Sequence, residues 1–136
     1  MTPESSRQLI EQYYAAFNRG DMEQFLSLLT DDVIHDINQG QRETGRDTFA
    51  AFMQRMNRNY REKLVEITIM VNADGSRAAA EFIVLGEYLA TDEGLPPARG
   101  QTYRLPAGAF FEIRAGKVAR VTNYYNLNDW IAQVSG

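Results

Sequence analysis

The stretch Tyr13-Tyr14-Ala15-Ala16-Phe17-Asn18-Arg19-Gly20-Asp21 decides how the first half of the chain is read. Leu9, Tyr13, Ala16 and Phe17 recur at helical spacing, with Ile10 and Tyr14 widening the stripe. Such a stripe marks a helix with one face against a core. Ser5 or Ser6 is placed to cap its start, and Gly20 supplies the stop. Asp21 follows as a capping residue, so a second short helix is expected with Met22, Phe25, Leu26 and Leu29 on one face. Tyr14 lies one residue off the best stripe and reads as packing or surface.

Outward from this stretch, Asp31-Asp32 is expected to end the second helix and residues 33–38 to form a short strand. After a loop ending at Gly45, a third amphipathic helix carries Phe49, Phe52, Met53 and Met56 on one side. The period then changes. Val65, Ile67, Thr68, Ile69 and Val71 predict a β-strand over 63–72, and Ala73-Asp74-Gly75-Ser76 predicts a hairpin turn. Strands are expected over 77–90, 102–114 and 117–127, separated by a proline-containing loop at 91–100 and by Ala115-Gly116. A closing helix after Asn128 places Leu127, Trp130, Ile131 and Val134 inward. The whole chain, 1–136, therefore reads as a single α+β domain. A curved antiparallel sheet is packed against three N-terminal helices and a short C-terminal helix, making a one-ended cone.

Composition narrows the function classes. With 136 residues there is room for one domain and a real core. Fourteen basic against eighteen acidic side chains give a net charge of −4, which argues against nucleic acid or an anionic membrane as partner. There is no cysteine and one histidine, so a thiolate nucleophile and a multi-histidine metal site are excluded. The opening residues lack a basic region followed by an apolar run, and no apolar stretch approaches ~18 residues; a cytoplasmic location is expected.

The segment ending Asn18-Arg19-Gly20-Asp21, the later Asp31-Asp32-Val33, and the turn Gly116-Lys117-Val118 followed by Tyr124-Tyr125-Asn126-Leu127 together resemble the NTF2-like superfamily. More narrowly, they resemble its SnoaL-like and ketosteroid-isomerase-related members. The resemblance spans essentially the whole chain and implies a conical pocket; Gly94 to Tyr103 is similar to the isomerase-related subgroup. It also implies a cofactor-independent isomerase, cyclase or lyase moving a proton on a hydrophobic carbonyl compound. The alternative is a module that binds a small hydrophobic ligand, or a dimeric interaction module, without catalysis.

Residue by residue, Tyr13 matches the family's first-helix tyrosine. The family's base position falls at Ile37, so the first strand offers either His35, which shares the Ile37 face, or Asp36, which a bulge would bring inward. His35 has the advantage of an unperturbed pKa near neutrality. The family's oxyanion-hole acid falls at Gly108 or Ala109, and its supporting tyrosine near Met53; neither group is present, which disfavours true steroid isomerisation. Val121, Asn123 and Tyr125 share a strand face that lines the pocket in the family, and Asn123 can donate to a developing enolate oxygen. Phe17, Met53 and Phe110 complete the expected ligand wall. No cofactor or metal is expected. Ile83, Leu85 and Leu89 on the far side of the sheet predict a homodimer.

Overall fold

Thr2, not Ser5 or Ser6, caps the first helix, α1 (Pro3–Asn18), in the computed structural model, which describes residues 1–136. The Thr2 hydroxyl accepts from the Ser5 amide at 3.0 Å, and the Ser5 hydroxyl accepts from the Thr2 amide at 2.9 Å. Ser6 is buried instead and donates to the Gly75 carbonyl at 2.6 Å, pinning the hairpin turn onto the helix. Gly75 has φ +77°, and a Cβ there would lie 2.7 Å from the Thr2 carbonyl oxygen, so only glycine fits this contact.

The remaining elements are α2 (Met22–Ser27), β1 (Leu29–Ile37), β2 (Gln41–Thr44), α3 (Arg46–Asn59), β3 (Tyr60–Val71), β4 (Arg77–Tyr88), β5 (Thr102–Arg114), β6 (Lys117–Tyr125) and α4 (Leu127–Ser135). The six strands form one curved sheet in the order β2-β1-β6-β5-β4-β3. The α+β cone is as expected, but the sheet is mixed. β1 runs parallel to β6, while every other neighbouring pair is antiparallel.

Four boundaries also differ. β1 begins at Leu29, which pairs with Val118 and is fully buried, so Asp31 and Asp32 sit inside the strand. Their exposed carboxylates pair with Arg46 and Arg114. β2, expected as loop, is a short polar edge strand. β3 follows α3 with no linker and starts at Tyr60. β6 ends at Tyr125, and Asn126 caps α4 by accepting from the Asp129 amide.

The Asn18-Arg19-Gly20-Asp21 motif has a structural explanation. Asn18 Nδ2 donates to the Leu64 carbonyl at 2.9 Å, and its Oδ1 accepts from the Leu64 amide at 2.8 Å. The side chain thus ties the end of α1 to β3, just before the bulge between Val65 and Thr68. Gly20, at φ +72°, ends the helix, and Asp21 caps α2 by accepting from Gln24. Asn18→Ala leaves both Leu64 backbone groups without this partner. It is expected to cost ~1–3 kcal/mol in urea unfolding; an unchanged midpoint would contradict the clamp.

The helices and the inner sheet face bury one core, with Ile10, Phe25, Phe49, Phe111, Val118 and Val134 essentially inaccessible. No helix is long and apolar enough to cross a membrane.

Candidate active site

Strand alternation decides which side chains meet the cone. In β1, Ile34, His35, Asp36 and Ile37 pair regularly with Thr44, Glu43, Arg42 and Gln41, without a bulge. The inward residues are therefore His35 and Ile37, and both line a cavity of about 830 Å³ between sheet and helices. Tyr13, Tyr14, Phe25, Phe49, Met53 and Phe82 form its apolar wall. Asn123 and Tyr125 enter from β6, and Phe17 from α1. Exposed Arg19, Gln39, Gln41, Arg55 and Arg61 lie around its rim.

His35 is 3% exposed. Its ring stacks on Phe49 at 4.2 Å and meets the edge of Phe52 at 4.7 Å, so two α3 aromatics fix its plane. Its Nε2 lies 3.4 Å from Asn123 Nδ2. Burial among these rings depresses the imidazole pKa to about 4, outweighing the opposite pull of the Asp36 charge. His35 is consequently neutral at pH 7. Its Nδ1 is buried without a partner, as is Oε1 of Glu43, and these two residues are paired directly across β1 and β2.

Asp36 faces the opposite way. Arg42 grips its carboxylate at 2.6 and 3.1 Å, Thr122 donates at 2.8 Å, and Arg120 lies 3.6 Å away. The hydrogen bonds from Arg42 lead in holding its pKa down, to about 2. A carboxylate so engaged on the outer face is placed to brace the sheet, not to reach the cavity.

Tyr13 and Tyr14 are both buried, in edge-to-face contact at 5.1 Å. Burial alone raises the Tyr13 phenol pKa above its ordinary value, keeping it an O–H donor. Tyr14 is not a surface residue: its hydroxyl is buried, unpartnered and beside the cavity. Ala109, one of the two positions where the resemblance puts an acid, pairs directly with Asn123. The amide of the next strand therefore stands beside that gap.

Two expected wall residues fall elsewhere, and one residue expected outside joins the wall. Phe110 points out from the sheet, is 49% exposed and touches Tyr124 at 5.8 Å. Val121 is on the inner face but fully buried, flanked on the neighbouring strands by its partners His35 and Phe111, and is not part of the lining. Leu89, expected on the outer sheet face, lies beyond β4 at the cavity mouth. Arg99 contacts the Val134 carbonyl and Arg104 pairs with Glu66.

The sequence reading missed Glu62 and Asp92, both of which line the cavity. Glu62 accepts from the Tyr103 hydroxyl, and Asp92 accepts from the Tyr60 hydroxyl at 2.9 Å. The signal for Glu62 was the Tyr60-x-Glu62-x-Leu64 alternation, but it precedes the apolar run by which the strand was recognised.

The SnoaL-like domain model matches residues 10–121, most of the chain. The chain belongs to the SnoaL-like domain family. This member is similar to a candidate polyketide cyclase from Pseudomonas putida KT2440, with 68% identity, 98% of each chain covered and a TM-score of 0.94. A candidate polyketide cyclase from Xanthomonas campestris pv. campestris is 56% identical over 97% of this chain and 98% of that one, with a TM-score of 0.94. A third, from Silicibacter sp. TM1040, is 48% identical over 100% of this chain and 99% of that one, with a TM-score of 0.96. No curated protein matches the chain.

Proposed function

We propose that this SnoaL-like protein is a cofactor-independent cyclase or isomerase that moves a proton next to a carbonyl in a small hydrophobic molecule. The observation carrying this is the buried neutral imidazole of His35 beside the Asn123 amide in an apolar cavity. The similarity to the candidate polyketide cyclases supports the reaction class.

The chemistry follows from the donor set. The substrate carbonyl oxygen accepts from Asn123 Nδ2, which frees the Nε2 lone pair of His35. The α C–H bond breaks, its proton goes to Nε2, and its electron pair moves onto the oxygen as an enolate. The enolate carbon then attacks a second carbonyl of the same molecule, and His35 returns the proton to the resulting alkoxide. In an isomerisation the proton returns to a different carbon. A base of low pKa suffices because imidazolium and enolate form as a pair in a medium that strengthens their attraction. Tyr13 and Tyr14 keep their hydroxyl protons and stand as further donors on the wall of the same cavity.

Deuterium exchange tests this without knowing the natural substrate. Aryl ketones such as 1-tetralone, incubated with the protein in D2O, are expected to exchange their α protons faster than in buffer alone. Exchange at the buffer rate across a panel of such ketones would leave binding without catalysis as the account of the cavity.

The outer sheet face supports a homodimer. Val65, Met70, Ile83, Leu85, Phe110 and Tyr124 share it, and Met70, Leu85, Phe110 and Tyr124 are each more than one-third exposed. Sedimentation at micromolar concentration is expected to give twice the chain mass, and Phe110→Glu to give monomer. A wild-type monomer would contradict the dimer and leave the chemistry untouched.

A further inference from the structure

The cavity has a second polar end, built from three strands. Glu62 on β3 pairs with Gly86 on β4, which pairs with Tyr103 on β5. A Cβ at Gly86 would come within 2.1 Å of the Tyr103 ring, so the missing side chain lets the phenol cross the middle strand and reach Glu62. Aromatic coverage of a strand glycine is a recognised packing device. Here it also delivers a hydroxyl to a carboxylate that lines the cavity.

Tyr103 engages Oε2 of Glu62, which leaves Oε1 for a ligand. Burial raises the Glu62 pKa, and the Tyr103 hydrogen bond is the one influence opposing it, so no cation neutralises the group. The Glu62 charge is felt at Tyr125, also on the cavity wall, where it adds to burial in raising that phenol. Tyr103, itself pushed upward by burial and by Glu62, remains a donor, so it cannot compete with a ligand for the role of acceptor.

We propose that Glu62, supported by Tyr103 across Gly86, is a recognition site for a hydroxyl group. The preferred ligand is an apolar ring compound with a phenolic or enolic O–H at this end and its reacting carbonyl at His35 and Asn123. An acceptor-only carboxylate without a cation beside it welcomes an O–H donor and repels a ligand carboxylate. The inference rests on the proposed use of the cavity as a substrate site and adds the polarity that the substrate must have.

Calorimetry with 1-tetralone, 6-hydroxy-1-tetralone and 6-carboxy-1-tetralone tests it. A hydrogen bond to a charged group predicts that wild type binds the hydroxy compound at least ~10-fold tighter than the parent ketone. The carboxy compound should bind most weakly. In Glu62→Leu the preference for hydroxyl should fall to about unity; Glu62→Gln, nearly isosteric, and Tyr103→Phe should show intermediate ratios. Equal affinity of wild type for hydroxy and parent ketones would overturn the hydroxyl site while leaving the cavity as a ligand site. So would a preference that survives in a natively folded Glu62→Leu. Failure of wild type to bind any of the three would overturn the substrate-site reading itself, and the hydroxyl site with it.

Discussion

His35→Gln is expected to lower the rate of α-proton exchange by ~10²–10⁴-fold, the range associated with removing a positioned general base. Glutamine keeps a polar side chain of similar reach and can still accept from Asn123, but it cannot carry the proton. The loss should appear in kcat more than in KM, because the imidazole acts on the α proton and the carbonyl is held by Asn123. Asp36→Asn, on the opposite face of the same strand, should leave exchange within about a factor of two, as expected for a group outside the pocket. The wild-type rate should also be flat from neutrality down to about pH 5 and fall as pH approaches 4, where the imidazole takes up its proton. A large loss in Asp36→Asn with none in His35→Gln would reverse the assignment of the base.

Phe111→Ala is expected to produce the largest loss of stability, ~3–5 kcal/mol, because it removes a large buried ring whose surroundings relax only partly. Phe111 is fully buried, with the edges of Tyr13 at 5.3 Å and Tyr14 at 6.1 Å against it. Truncation should therefore also loosen the two tyrosines on the cavity wall. The adjacent Phe110→Ala makes the contrast. Its ring is half exposed on the other face, so the folded chain should lose less than ~1 kcal/mol, with any larger effect seen in dimer dissociation. Urea unfolding of both variants measures this. Comparable losses at the two positions would mean that the strand does not present its faces as described.

These two neighbours also show where the sequence was hard to read. From Ala107 to Phe111, β5 is apolar on both faces, so period-two alternation is silent, and Phe110 was assigned to the pocket wall one position from Phe111. In β1 the shared face of His35 and Ile37 is legible, but the sequence equally allows a bulge that would bring Asp36 inward. What turned Asp36 outward for good was Arg42, on a four-residue polar edge strand that carries no hydrophobic signal. Parallel pairing of β1 with β6 joins residues more than eighty positions apart, and nothing local encodes it. The helices were legible from their stripes, and the Asn18-to-Asp21 motif marked the fold because Asn18, Gly20 and Asp21 have structural duties. The Glu62–Tyr103 contact depends on an absent side chain at Gly86, which no periodicity reports.

The central claim is that the chain's single histidine is enclosed and neutral, and side-chain NMR titration of that imidazole tests it without ambiguity of assignment. The account predicts ring shifts that stay those of neutral imidazole from pH 8 to pH 5, with a midpoint near pH 4. A midpoint at the ordinary histidine value near 6.5 would place the ring in water and contradict the buried base.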